Sequence, residues 1–275
     1  MKKNTSLRVN NLVRNKEEIQ KKAIGKFKEI PFRKMAPNLV TLMALCSGIT
    51  TIRYAILGKW SMALFFIFLA GVFDGLDGRV ARKLKASSKF GAELDSLSDF
   101  VSFGVAPAIL IYQWSLNTLP HWGWIFTLMF SAAMAMRLAR FNTMLDDAGV
   151  PEYWSHYFVG VPAPMAAGIG VMPILISFDF PQISFILRNP YFCSAVMILV
   201  AYLMVSRIPT ISLKKTKISS DWFLPIMVLL AMLISCLITK PWLTLGLFTL
   251  FYIISIPFTI VRFLKDKKTF EKENK

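Results

Sequence analysis

The chain reads as a succession of apolar runs separated by short polar links. Crossing the hydrocarbon core of a bilayer takes about 20 residues of helix. Eight runs reach roughly that length: 38–57, 60–82, 91–113, 121–144, 157–178, 190–207, 222–239 and 242–263. They are continuous rather than alternating, so membrane β-strands, with their two-residue period, are not indicated. The pattern predicts an all-α, polytopic bundle of about eight transmembrane helices. The fifth run holds Pro162, Pro164 and Pro173. Each lacks an N–H and must kink or interrupt a helix, which lipid tolerates only where neighbouring groups satisfy the freed backbone.

The links between the runs set the orientation. Residues 1–34 carry eleven Lys or Arg, from Lys2 to Lys34. Arg82, Lys83, Lys85 and Lys89 follow the second run; Arg207, Lys214, Lys215 and Lys217 follow the sixth; Arg262, Lys265, Lys267, Lys268 and Lys272 follow the eighth. The alternate links hold only Lys59, Arg188 and Lys240. Basic residues stay on the cytoplasmic side, which puts both termini there and requires an even number of spans. The expected division is a basic interfacial arm (1–34), a membrane catalytic domain (35–264: a core at 35–207 and extra spans at 222–263) and a cytoplasmic tail (265–275). The arm has no apolar segment of signal-peptide type. Its apolar residues, Leu12, Val13, Ile19, Ala23, Ile24 and Phe27, suit either a helix lying on the membrane or a disordered arm.

Composition sharpens this. Of 275 residues 55% are hydrophobic, and the mean hydropathy is +0.52, which sets a soluble globular domain aside. The formal net charge of +16 lies beside the apolar runs, where it reads as anchoring to anionic lipid headgroups and not as nucleic-acid binding. Cys46, Cys193 and Cys236 each fall inside a run, widely spaced, and read as packing residues rather than a disulfide or metal framework. His121 and His156 sit near run ends without a partner motif. Trp114, Trp122, Trp124, Trp154, Trp222 and Trp242 also lie near run ends, as an aromatic belt does.

One stretch departs from this apolar pattern. The second run ends Asp74-Gly75-Leu76-Asp77-Gly78-Arg79-Val80-Ala81-Arg82, and the third opens Gly91-Ala92-Glu93-Leu94-Asp95-Ser96-Leu97-Ser98-Asp99. Charge at membrane depth is costly and marks function. Asp74 and Asp77 are three apart and Asp95 and Asp99 four apart, so each pair shares one helix face. The short link makes the two helices antiparallel neighbours, and four carboxylates then converge at the cytoplasmic end. Their repulsion calls for a divalent cation, and all-oxygen ligation favours Mg²⁺ or Mn²⁺, with room for two ions. Glycines beside the aspartates admit a phosphate close to the backbone, and Arg82 offers a planar fork to its oxygens. An ion-coupled transporter also uses intramembrane carboxylates, but no paired repeat of interrupted helices accompanies them.

The spacing D-x₂-D-G-x₂-A-R-x₈-G-x₃-D-x₃-D resembles the signature of the CDP-alcohol phosphotransferases. It is matched at every fixed position: Asp74, Asp77, Gly78, Ala81, Arg82, Gly91, Asp95 and Asp99. The resemblance implies that Asp74, Asp77, Asp95 and Asp99 hold a divalent metal pair on a CDP pyrophosphate, with Asp99 also the general base. It implies that Gly78, Ala81, Arg82 and Gly91 wall the CDP site. Asn38 and Thr41, in Pro37-Asn38-Leu39-Val40-Thr41, resemble the stretch that touches the nucleotide; Asn38 also reads as a helix cap. Three further stretches, Ser96 to Ala108, Arg137-Leu138-Ala139-Arg140-Phe141-Asn142 and Phe158 to Pro164, are similar to the membrane-embedded, serine-using branch. That branch implies transfer of a phosphatidyl group from CDP-diacylglycerol to L-serine. Serine's carboxylate needs a cation, which Arg137 or Arg140 supplies, and Asn142 can orient the acceptor; both arginines also read as interfacial anchors. Other acceptors in the same reaction class are glycerol 3-phosphate, inositol phosphate and choline. The last three runs carry no motif. The expected setting is the cell membrane, with the site facing the cytoplasm and membrane lipids around it; a homodimer is compatible with the sequence.

Overall fold

The computed structural model describes residues 32–146, 157–211 and 222–273. The basic arm up to residue 31, Trp154, His156 and Lys214, Lys215 and Lys217 lie outside them. Eight apolar helices form the described bundle. They are α1 (Phe32–Ile56), α2 (Trp60–Leu84), α3 (Lys89–Trp114), α4 (Trp122–Asp146), α5 (Ala163–Asp179), α6 (Pro190–Val205), α7 (Phe223–Thr239) and α8 (Pro241–Glu273). Five of them, α1 to α4 and α8, are long and apolar enough to cross a membrane by themselves, and α6 makes a sixth with the short helical stretch Pro181–Leu187, bent from it by 69°. The protein is an integral membrane protein.

Small residues let the helices approach in the interior, among them Ala63, Ala70, Ala106, Ala108, Ala163, Ala166 and Ala167, with Phe103, Phe130, Leu110 and Met134 filling the space between them. The outside carries Phe65, Leu97, Tyr202, Phe251 and Phe258. With lipid as solvent, apolar burial does not drive association, and close backbone approach does. The clearest case is Gly48 of α1, where a Cβ would stand 2.5 Å from Ser102 Oγ of α3. Hydroxyls reinforce that contact: Ser98 donates to the Thr41 carbonyl at 3.1 Å and Ser102 to the Ala44 carbonyl at 3.2 Å.

Helix α3 is continuous but changes register. A π-helical segment, Phe100–Val105, follows Asp99, and the Ala106 N–H bonds back five residues to the Val101 carbonyl. Pro107, at the start of the next α segment, cannot donate to a carbonyl four residues back. The wide turn accommodates it, and such turns gather at functional sites.

The expected fifth span begins later than its hydropathy suggests. Residues Tyr157–Val159 form a strand, β1, antiparallel to β2 (Pro209–Ile211), and α5 starts at Ala163. Gly160, at φ +77°, and Pro162, extended at the helix N-cap, make the corner between them. Pro164 falls in the first turn, where its missing N–H costs nothing. The two-stranded sheet is clasped to α8: Tyr157 donates to Asp266 at 2.5 Å and packs edge-on against Phe263. Burial and the Asp266 carboxylate push the Tyr157 hydroxyl up to about 12, so it remains a donor. Helix α8 runs unbroken past Pro257 to Glu273, so the expected tail from residue 265 is helical through Glu273.

If the α1–α3 contact sets the bundle, Gly48→Val should lower the thermal unfolding midpoint in detergent, with a loss of about 1–3 kcal/mol from overpacking. An unchanged midpoint would show that the helices do not need this approach.

Candidate active site

The chain alternates across the bundle, so the end of α2, the starts of α1, α3 and α5, and the ends of α4 and α6 share one face. The signature residues meet there. One carboxylate oxygen from each of Asp74, Asp95 and Asp99 lies within 4.8 Å of the other two. Asp77 is not part of that set. It is buried, and its Oδ2 accepts from the Thr41 hydroxyl at 2.8 Å, which draws it towards α1. The expected group of four is therefore a cluster of three with a neighbour pinned beside it.

Three half-buried carboxylates cannot share this space as bare anions without strong repulsion. Their all-oxygen donor set fits a hard divalent cation of the Mg²⁺ or Mn²⁺ kind. The protein cation whose field acts on both Asp99 and Asp74 is Arg137. It makes no direct ion pair with either, unlike Lys240, which pairs with Asp179 at the opposite end of the bundle.

Beside the cluster lies a cavity of about 160 Å³. Asn38, Thr41, Gly78, Ala81 and Gly91 line it together with Asp77 and Asp95. Five of the six residues expected to hold the nucleotide thus form one wall. The sixth, Arg82, is exposed and folds back over Gly78. At Gly91 a Cβ would approach Asn38 Oδ1 to 3.1 Å, so the glycine lets α1 and α3 close around the cavity. Ser88 caps α3 by accepting from the Gly91 N–H at 3.0 Å. The cavity also borders Ala86, Ser87 and Ala92, which the motif spacing alone did not single out.

The two arginines expected at an acceptor site have different partners. Arg140 is committed to the C-terminus of α6: its guanidinium donates to the carbonyls of Val205 at 2.7 Å and of Met204 and Ser206 at 3.1 Å. These are orphan carbonyls of a helix end, and a cation there also suits the helix dipole. Arg137 uses only its Nε, donating to the Val161 carbonyl at 2.6 Å. Asn142 is tied to α3, donating from Nδ2 to Ser96 Oγ at 3.0 Å. The stretch Phe158 to Pro164 therefore positions the arginines, through Val161 for Arg137 and through Gly160, whose missing Cβ leaves room for Arg140.

Fold and site together define an integral membrane enzyme built around a carboxylate cluster beside a polar cavity. The chain belongs to the CDP-alcohol phosphatidyltransferase family, whose model matches residues 34–192; a second model, CDP-alcohol phosphatidyltransferase 2, matches residues 221–257. Among curated relatives, the CDP-diacylglycerol–serine O-phosphatidyltransferase of Mycobacterium leprae is 35% identical over 229 residues, covering 82% of this chain and 75% of that protein. The enzyme of the same name from Helicobacter pylori is 32% identical over 228 residues, covering 83% and 90%. That of Bacillus subtilis is 34% identical over 179 residues, covering 65% and 91%. Membership sets the transporter alternative aside. The second match covers α7 and the first half of α8, whose sequences carry no readable motif.

A ligand role for the cluster is testable without turnover. Asp95→Asn should weaken Mn²⁺ binding by ~10-fold or more, read by electron paramagnetic resonance of the purified protein. Wild-type affinity in the variant would remove Asp95 from the metal set.

Proposed function

We propose that the protein transfers the phosphatidyl group of CDP-diacylglycerol to L-serine, giving phosphatidylserine and CMP. The observation that carries this reading is the cluster of Asp74, Asp95 and Asp99 between the Asn38–Gly91 cavity and Arg137. The names of the relatives support serine as acceptor.

In this reading Asp74, Asp95 and Asp99, with Asp77 at the edge, hold one or two divalent cations, Mg²⁺ or Mn²⁺, whose chemistry when bound is to neutralise pyrophosphate charge and the departing CMP. Asn38, Thr41, Gly78, Ala81 and Gly91 seat the CDP moiety, and Arg82 guards the mouth of the cavity. Asp99 accepts the proton of the serine hydroxyl as its oxygen bonds to the lipid-side phosphorus. The bond from that phosphorus to the bridging oxygen breaks, and the electrons leave with CMP. Arg137 attracts the serine carboxylate. Asn142 and Arg140 hold the surrounding helices, Asn142 through Ser96 and Arg140 through the end of α6.

The lipid part of the donor has a place as well. An apolar cavity of about 300 Å³ runs between α2, α5 and α8, lined by Leu64, Phe68, Gly71, Val72, Leu245 and Phe248. Gly71 lies three residues, just under one helical turn, before Asp74, so an acyl chain lying there brings its headgroup to the cluster.

We also propose that all eight helices cross the membrane, with both termini and the site on the cytoplasmic side. The short helices α5 and α7, 17 residues each, are ~25 Å long at 1.5 Å per residue, near the lower limit for a span. The basic links support the orientation.

Purified protein given CDP-diacylglycerol and Mn²⁺ should release CMP when serine is added and not with glycerol 3-phosphate, inositol phosphate or choline. CMP release with another of these alcohols instead would replace serine as the acceptor. Asp99→Asn should retain CDP-diacylglycerol binding and lower kcat by ~10²–10⁴; near-normal turnover would remove Asp99 as base. For topology, single cysteines at Lys59 and Lys83 in a cysteine-free background should react with an impermeant maleimide from opposite sides of the membrane. Labelling from one side would overturn the orientation.

A further inference from the structure

The hydroxyl of Tyr252 is enclosed within the bundle and has no hydrogen-bond partner, the one such side-chain atom among the described residues. Tyr252 lies on α8, in the run Phe248-Thr249-Leu250-Phe251-Tyr252-Ile253-Ile254. Phenylalanine would pack as well there, and a buried phenol without a partner is unfavourable. Its polar neighbours are the Thr210 hydroxyl and the Arg137 guanidinium. Thr210 lies close enough to act on the phenol, but it gives its own proton to the Gly160 carbonyl at 2.9 Å, and no contact to the phenol has the geometry of a hydrogen bond. Arg137 has donors only, and its Nε is already engaged by Val161.

An arginine with part of its guanidinium unengaged and a buried O–H without a hydrogen bond thus lie within each other's field. That arrangement is complementary to an oxyanion. Its position narrows which one. The field of Arg137 reaches Asp99 and Asp74, yet no direct ion pair closes the gap. The CDP cavity opens on another side of the cluster, towards α1. In serine a single carbon stands between the carboxylate and the carbon that bears the hydroxyl. A serine whose hydroxyl is at Asp99 therefore directs its carboxylate towards Arg137. Arg140, held by three carbonyls of α6, is not available for that task.

We infer that Tyr252 is an acceptor-binding residue: its phenolic O–H, with the Arg137 guanidinium, receives the carboxylate of the amino-acid acceptor. The inference rests on the serine reading and adds the last membrane helix to the acceptor subsite.

The test uses the full chain in detergent with CDP-diacylglycerol and Mn²⁺, comparing wild type with Tyr252→Phe. Serinol, which keeps the hydroxyl and ammonium of serine and lacks its carboxylate, serves as second acceptor. Tyr252→Phe should raise the serine KM by about tenfold, the effect of losing one hydrogen bond to a charged group. The KM for CDP-diacylglycerol, turnover with serinol and the thermal midpoint should stay as in wild type, the midpoint rising if anything. An unchanged serine KM overturns the assignment. So does an equal rise in the KM for CDP-diacylglycerol, which would give the site to phosphate, and so does a fall in the midpoint, which would show that the protein itself holds the hydroxyl. If wild type releases no CMP with serine, the serine reading fails and this one with it. Serine-dependent release with an unmoved KM leaves that reading standing and removes only Tyr252.

Discussion

Like charge held together against its own repulsion is the constraint on which this structure depends. Three carboxylate oxygens from two helices lie within 4.8 Å of one another, in a bundle whose solvent is lipid. No hydrophobic driving force between helices opposes their repulsion there. What opposes it is close packing with backbone hydrogen bonding. Gly48 lets α1 touch α3 at Ser102. Ser98 and Ser102, one turn apart, both donate to carbonyls of α1. Thr41, on the same stretch of α1, holds Asp77 out of the cluster. Helix α1 carries no carboxylate of its own, yet it sets the spacing of those on α2 and α3. A divalent cation, as proposed for this cluster, would complete electrostatically what packing begins.

The same contacts explain how far the sequence could be read. Features with a local period were legible. Apolar runs gave the helices, and the three- and four-residue spacing of the aspartates gave their shared faces. Glycine beside aspartate marked the cavity wall. Features that depend on a partner distant in sequence were not. Nothing near Asp77 says that Thr41, 36 residues earlier, accepts it as a partner. Arg137 and Arg140 look equivalent at three-residue spacing, and only the end of α6, some 65 residues on, separates them. The π turn after Asp99 had a local signal in Pro107, which cannot continue an ordinary helix, but its register is set by the packing of Gly104 and Ser102 against α4 and α1. Hydropathy also extended the fifth span back through 157–162, because a strand of Tyr, Phe and Val is as apolar as a helix end.

The arginines show how one motif can serve two purposes. Arg140 closes α6 through its free carbonyls, and Gly160 admits it because a Cβ there would lie 3.1 Å from its Nη2. That junction ties α4, the β1–α5 corner and α6 into one unit. Arg137, one turn earlier, is aimed by the Val161 carbonyl of the same corner. Fixing one guanidinium on backbone therefore orients the element that aims the other. A lysine at position 140 would bring the charge without the rigid fork that here reaches three carbonyls from two nitrogens, so the guanidinium supplies geometry as well as charge.

Selecting an acceptor is harder in this setting than activating one. With Asp99 proposed as the base, any hydroxyl that reaches it, water included, would be deprotonated beside the lipid donor. Discrimination must come from groups that water cannot engage, at a distance set by the acceptor's own skeleton. A buried group built to bond a substrate discriminates strongly, because it is left unpaired with the wrong one. Arg137 and the unpartnered hydroxyl of Tyr252 meet that condition. Tyr252 has no hydrogen bond and Arg137 engages only its Nε, on Val161, and neither residue lines the Asn38–Gly91 cavity. On this view the last two helices, which add little to the carboxylate cluster, belong to the enzyme because α8 closes the acceptor side of the site.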